Sequence, residues 1–306
     1  MDNGSFGFLT IAIGHERYLR QAEILSLSLR RNMPGMPLAI VTDNPARLRG
    51  SADIIIPPKR GVPVGVLQKA FLDEYTPFGE TLFIDSDCVA TRPFADELEQ
   101  IRKFDFTPAM ERVTPANGTD EYIDNLPETL KMIGGESFPK FNGGVYFFRD
   151  GELSSSVFRI AREIHGNYRE YGLKAFDKSG PGEETVFALA LAKLGVVNLY
   201  HDGGKLMRTP TGLRGKISID PLGGGCSFER YDGVVTPAIC HFAGPYLLTP
   251  EYRLAAYSLA HNVSVNKIGL QVRASAQLAS AADRTKKYLE YKIHGVKKRL
   301  RPQFAR

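Results

Sequence analysis

Four stretches carry residue types that could do chemistry together: Asp85-Ser86-Asp87, Asn142-Gly143-Gly144, Glu183-Glu184 and His241. Asp85 and Asp87 follow the apolar run Leu82-Phe83-Ile84 directly. Two carboxylates this close repel, and each is costly to desolvate unless a cation lies between them. A hard divalent ion bound by one or two carboxylates plus substrate phosphates relieves both problems. The plainer alternative is that one Asp caps the next turn while the other is solvated. His241 stands apart from the other histidines because the apolar run from Ala238 delivers it into a turn of small residues ending at Gly244. Its alternative is a buried, hydrogen-bonded histidine. Glu183 and Glu184 open an apolar helical run, where acids also favour the positive end of a helix. A glycine pair opening an apolar strand lets a backbone or a ligand approach closely.

These groups need elements to position them. A short unbroken apolar run such as 82–84 reads as a strand buried on both faces, hence parallel and within an α/β sheet. Ligands of such sheets collect at the carboxyl ends of the strands. Residues 6–13 read as a first strand, and Tyr18, Ala22, Leu25 and Leu29 repeat at helical spacing after it. Further strands are expected over 38–42 and 54–56, then a helix over 65–75 carrying Lys69. Residues 94–104 read as helical and 104–110 as extended, whereas 111–140 show no clear period. A strand over 141–148 and a helix over 154–168 follow, with a loop at 178–182 before a helix over 183–194. Residues 196–200 read as a strand, the glycine-rich section to 235 as irregular, 238–244 as a strand and 250 onward as largely helical. Neither Gly-x-Gly-x-x-Gly after the first strand nor a Gly-x-x-x-x-Gly-Lys loop is present, so dinucleotide and P-loop readings lack their motifs.

Apolar residues make up 43% of the 306 and charged ones 24%, which places the chain among soluble globular proteins of one large or two small domains. No stretch approaches the ~20 apolar residues of a spanning helix, and no basic segment precedes residues 6–13 as in a signal peptide. Three cysteines without Cys-x-x-Cys spacing suggest reduced thiols in a cytoplasmic setting, and Cys88 reads as a small buried thiol. Residues 283–306 hold nine Lys or Arg against two acids, whereas the remainder holds 30 against 32. The basic balance therefore belongs to the tail, and a nucleic-acid partner is not expected. Leu289, Ile293, Val296 and Leu300 fall on one helical stripe flanked by Arg284, Lys286, Lys287, Lys292, Lys297, Lys298, Arg299 and Arg301, with Gly295 interrupting it. Such a segment reads as a helix on an anionic membrane surface, giving a peripheral location on the inner face. The alternative is a helix packing its stripe on the catalytic domain.

The combined pattern resembles the GT-A fold glycosyltransferases that use nucleotide sugars. Among them it is most similar to the retaining enzymes of glycosyltransferase family 8, which include the glycogenins and bacterial lipopolysaccharide galactosyl- and glucosyltransferases. The matched stretches are residues 10–29, Lys69, 83–87, 141–145 and 241–244, with Glu183-Glu184 as a sixth. The resemblance implies an α/β, mainly parallel mixed sheet flanked by helices, with a catalytic domain over 1–250 and a helical basic extension over 251–306. It implies that Asp85, Asp87 and His241 hold Mn²⁺, with Mg²⁺ as the alternative, on the diphosphate of a UDP-sugar. A site of carboxylates, phosphates and one imidazole suits Mn²⁺ better than Mg²⁺. Uridine is implied against Thr10, Ala12 and Tyr18, with Asp43 near the base or ribose. Lys69, Ser86, Asn142, Gly143, Gly144 and Gly244 complete the implied donor site, and Glu183 and Glu184 face the sugar hydroxyls and reacting carbon. The implied acceptor is a glycan or a lipid-linked sugar. The chain departs from the family in two places. A Lys-Pro-Trp that clamps the diphosphate in the family is replaced here by residues 245–250, so the clamp is either missing or supplied from elsewhere, with Lys205, Arg208 and Arg214 as candidates. Glu184 stands where relatives have an amide, which leaves an inverting reaction with Glu183 or Glu184 as base open. Two further alternatives are a sugar-nucleotide binding protein without turnover and a haloacid-dehalogenase-type phosphatase with Asp85 as nucleophile. The latter normally ends its first strand with that Asp, and here three strands precede it.

Overall fold

The computed structural model describes residues 5–176 and 180–300, with the side chains of 291 and 293–300 outside that description. The chain opens with β1 (Phe6–Ala12), α1 (Glu16–Asn32), β2 (Leu38–Thr42), α2 (Pro45–Leu48) and β3 (Ile54–Ile56). After a 3₁₀ turn over Val66–Phe71 come α3 (Leu72–Tyr75), β4 (Glu80–Ile84), β5 (Cys88–Ala90), α4 (Ala95–Ile101) and β6 (Phe106–Pro115). Next are α5 (Leu126–Ile133), β7 (Ser137–Arg149), α6 (Glu152–Gly166) and α7 (Glu183–Lys193). The last third holds β8 (Met207–Arg208), β9 (Arg214–Asp220), β10 (Gly225–Arg230), β11 (Gly233–Val235), β12 (Ile239–His241), α8 (Pro250–His261) and α9 (Leu270–Leu300).

The main sheet has the order β3-β2-β1-β4-β7-β6. Strands β1 to β4 pair in parallel, whereas β7 is antiparallel to both β4 and β6. Strand β4 is therefore parallel on one side only. Its apolar run is unbroken because both faces are covered: Phe83 joins the cluster with Phe158 and Phe187 from α6 and α7, while Leu82 and Ile84 join Leu25 and Leu98 from α1 and α4. The chain leaves β1 toward β2 and returns on its other side as β4, so the strand order reverses between β1 and β4. A crevice opens at their carboxyl ends for that reason, and Asp85 is delivered into it.

A small sheet of order β5-β12-β8 brings distant sequence to this crevice. Strand β12 runs antiparallel to β5 with His241 opposite Cys88, and the Phe242 N–H donates to the Asp87 carbonyl at 3.1 Å. That register sets the imidazole one residue from Asp87.

Several expectations are corrected. The 65–75 helix is a 3₁₀ turn followed by one short α-helical turn. The region 111–140 holds the end of β6, all of α5 and the start of β7. Helix α5 has only eight residues, too few to show a period, yet it is fully punctuated by Asn125 accepting from Glu128 N, Pro127 in its first turn and left-handed Gly134. Residues 196–200 form no strand, although Met110 N–H still donates to the Tyr200 carbonyl at 2.9 Å. The irregular section contains the antiparallel sheet β11-β10-β9 instead. Its glycines are turns between strands, with Gly225 and Gly233 at positive φ.

The 250/251 division falls where Thr249 caps α8. Ala255 and Leu259 of α8 pack with Val89, Cys240 and Phe242 in one cluster. Helix α9 runs through Gly295. Its first half docks through buried Ala276 and Ser280 and an Arg253–Asp283 ion pair. Leu289 is 53% exposed, so the stripe is unpacked at this position. The stripe residues Ile293, Val296 and Leu300, the cations at 297–299 and residues 301–306 lie outside the described side chains. The 178–182 loop is likewise described only from Gly180 onward. Among the described residues no helix is long and apolar enough to cross a membrane.

Candidate active site

The site is built on three backbone joints. Asp85 N–H donates to the Gly144 carbonyl at 2.9 Å, locking the end of β4 to the glycine pair in β7. Gly143 N–H donates to Glu184 Oε1 at 2.7 Å, which ties β7 to the start of α7. Gly144 N–H donates to Asn142 Oδ1 at 3.1 Å. The glycines are required by what lies against them. A Cβ on Gly143 would stand 2.7 Å from Glu183 Oε1, and one on Gly144 would stand 2.6 Å from His241 Nδ1. Close approach, not a turn, explains the pair.

Lys69 links the acids. Its Nζ donates to Asp85 Oδ2 at 2.7 Å, Glu183 Oε1 at 2.6 Å and the Gly143 carbonyl at 3.0 Å, using all three ammonium protons. Burial pulls the Lys69 ammonium down, but Asp85 and Glu183 overcome this and raise it, so it stays charged. Burial pushes Asp85 up to about 6 against the pull of Lys69, with Asp87 adding to the rise. Burial pushes Asp87 up, but His241, Lys69 and a backbone hydrogen bond together outweigh it and hold the carboxyl below its usual range. Burial raises Glu184 to about 7, assisted by the neighbouring Glu183 and opposed by the Gly143 N–H. Tyr146 lies beneath, its buried hydroxyl making no hydrogen bond.

The donor set fits a divalent ion. His241 Nδ1 faces Asn142 Oδ1 at 2.5 Å and Thr209 Oγ1 at 3.0 Å, so Nδ1 carries the proton given to the amide oxygen. Nε2 is thereby aimed at Asp87 Oδ1 at 3.1 Å and Asp85 Oδ2 at 3.6 Å. Ligands bonded to one octahedral ion at about 2.1 Å sit about 3 Å apart, close to these separations. An imidazole fixed through its other nitrogen is the usual arrangement around a bound metal. Cys88 also comes within 4.8 Å of the Asp87 and His241 ligand atoms. Burial pushes its thiol well up, so it stays protonated, and Sγ donates to the Gly144 carbonyl at 3.9 Å. It is a packed thiol.

In front of these acids lies a cleft of about 320 Å³ lined by Tyr18, Lys69, Asp85, Ser86 and Asp87. The wall at the end of β1 consists of Ile11 and, just past the strand, Ile13, whereas Thr10 and Ala12 are fully buried and absent from it. Side chains alternate along a strand, and the phase is one residue from that implied by the resemblance. Asp43 is occupied in accepting from Gly14 N–H at 3.1 and 3.2 Å and is not among the lining residues. Gly244 opens instead on a neighbouring groove. Of the substitute cations, Arg208 pairs with Glu111 at 3.2 Å and Asp232 at 2.8 Å, while Lys205 lines a separate cleft with Tyr200 and Asp202. Arg214 sits exposed at the start of β9.

Three contributors went unnoticed in the sequence. Gln21 is buried on α1 and accepts from Ser86 Oγ at 3.4 Å. The signal was a polar residue next to Ala22 on the apolar face of the helix. Thr209 and Phe176 left no signal, since each reaches the site through non-local packing: Thr209 on the His241 ring and Phe176 on the cleft rim.

No protein-family model and no curated protein sequence matches the chain. Solved structures do. Galactosyltransferase LgtC, in complex with donor and acceptor sugar analogs, aligns with a TM-score of 0.53 at 16% identity, over 88% of this chain and 99% of LgtC. An active-site mutant of LgtC aligns with a TM-score of 0.51 at 15% identity, over 87% of this chain and 99% of that one. The bifunctional glycosyltransferase WbbM aligns with a TM-score of 0.51 at 10% identity, over 91% of this chain but 52% of WbbM. The chain has the GT-A fold of these enzymes, as the motifs implied.

Proposed function

We propose that this chain transfers a hexose from a UDP-sugar to a glycan or lipid-linked glycan, with retention of anomeric configuration. The observation that carries the reading is the convergence of Asp85, Asp87 and His241 with Glu183 and Glu184 around Lys69 at the end of β4. The donor and acceptor sugar analogs bound by LgtC, which shares the fold, support a sugar donor and acceptor here.

Asp85, Asp87 and His241 would hold Mn²⁺, with Mg²⁺ as the alternative. When bound, such an ion supplies positive charge against the diphosphate and stabilises it as a leaving group. Tyr18, Ile11 and Ile13 give the nucleobase an apolar wall. Lys69 fixes Asp85 relative to Glu183, so donor phosphate and sugar are oriented by one rigid joint. Glu184, ionised, faces the positive charge that develops on the sugar as the acceptor hydroxyl attacks from the side the diphosphate leaves. The hydroxyl proton passes to a diphosphate oxygen.

One observation favours a second reading. A carboxyl raised to about 7 suits a general base, which would make the reaction inverting. Proton NMR of the product's anomeric coupling separates the two, and an inverted product assigns Glu184 as the base. Replacing Asp87 with Ala should leave the circular dichroism spectrum unchanged and lower transfer by about 10²–10³-fold. Full activity of that variant in EDTA would sink the proposal.

A further inference from the structure

A second, larger cleft of about 1050 Å³ lies between α1, α8 and α9 and shares Gln21 with the donor cleft. Its floor is apolar, formed by half-buried Ile24, Leu247, Leu248 and Tyr252. Its lining holds six Lys or Arg and three acids, a net positive charge. Two of the acids are spent on arginines, Glu23 on Arg47 and Asp283 on Arg253. Lys286 and Lys287, exposed on α9, make no ion pair among the described residues, and Arg17 reaches only the Tyr18 hydroxyl and ring. Glu290 is the remaining acid. One residue beyond Lys287, α9 presents Tyr288 and Leu289 at 57% and 53% exposure.

The phosphates and sugar of a nucleotide donor have no use for an apolar floor, its base already has the wall of Ile11, Ile13 and Tyr18 in the other cleft, and a neutral lipid has no use for unpaired lysines. An amphiphile with an anionic head matches both halves. We infer that this groove binds one phosphate-headed lipid, its phosphate on Lys286, Lys287 and Arg17 and the first part of its chain on Leu247, Leu248 and Tyr252. Each ammonium group near the anionic head adds a favourable charge interaction. Water displaced from the floor adds the apolar part of the affinity. The lipid would enter between α1 and α9, and Tyr288 and Leu289 would then lie against neighbouring lipid. The inference stands apart from the sugar-transfer reading, because none of the groups it uses holds the metal or faces the sugar.

The test is calorimetric titration of the full chain with dihexanoyl phosphatidic acid below its micelle-forming concentration. Inorganic phosphate and dihexanoyl phosphatidylcholine are titrated in parallel. One-to-one binding of the phosphatidic acid, tighter than that of either control, is expected. The double variant Lys286→Gln/Lys287→Gln should weaken it by about tenfold or more. Leu247→Asp, which keeps every cation, should weaken it as well. Inorganic phosphate binding as tightly as the lipid, or an unchanged affinity in the double variant, overturns the inference. UDP affinity of the double variant, measured alongside with Mn²⁺ present, should not change. A parallel loss of UDP affinity would also overturn it, by assigning these lysines to the donor diphosphate.

Discussion

The two clefts that meet at Gln21 carry charge in opposite ways. In the donor cleft each charged group is largely buried and held by partners: Lys69 between Asp85 and Glu183, His241 between Asn142 and Asp87, Glu184 on the Gly143 N–H. In the α1–α8–α9 groove Lys286 and Lys287 stand in water with no partner among the described residues. The first arrangement costs desolvation and returns fixed geometry, which chemistry on a sugar requires. The second costs little to form and offers attraction without precise placement, which suits a surface or a head group. Perturbing packing should therefore damage the donor cleft, and perturbing solvent should damage the groove.

The largest contrast is expected from glycines. Gly144→Ala sets a Cβ 2.6 Å from His241 Nδ1, so the imidazole must leave its place against Asn142. Loss of that orientation should lower Mn²⁺ affinity about 10–100-fold and stability by about 1–3 kcal/mol, read by metal titration and by melting. Gly166→Ala at the end of α6 meets nothing within 4 Å and should leave both intact. Equal effects at the two positions would remove close packing as the reason for the glycine pair.

An intermediate effect should come from pH. Glu184 is raised to about 7 by burial and then by Glu183, so it is protonated below pH 7 and ionised above. If its anion faces the sugar, the rate climbs about tenfold per pH unit below 7 and levels off above it. Glu184→Gln should abolish that limb in a pH–rate profile.

Salt should give the smallest effect and the opposite one. Raising NaCl from 50 to 500 mM shortens the screening length severalfold. Lipid binding at Lys286 and Lys287 should fall several-fold, while the affinity for UDP with Mn²⁺ changes less. Similar slopes for both ligands in titrations across salt would erase the distinction.

Much of this site was legible locally. The apolar run 82–84 marks a strand with both faces covered, and acids that follow it directly must emerge at its end. The same reasoning identifies the glycine pair, Glu183-Glu184 and His241, because each breaks or begins a patterned element at a position its neighbours define, whereas Lys69 was singled out only by the resemblance to the family. Helix α1 was readable from Leu25 and Leu29, and α7 from its apolar length.

Tertiary structure alone decided what depends on pairing between distant strands. Whether Thr10 or Ile11 faces the donor depends on the phase of β1, and a period of two makes either choice consistent with a buried strand. That β7 runs antiparallel to β4 is invisible in the sequence, since both strands are buried on both faces. The three bonds of Lys69 join residues 69, 85, 143 and 183, and no local pattern encodes such a meeting. Sheet β11-β10-β9 was hidden because short strands with glycine turns resemble an irregular chain. The tail's charge was countable from composition, but its place beside α1 was not. A helix packs by the shape of one stripe, and only the fold determines which surface receives Ala276 and Ser280 and so brings Lys286 to the groove.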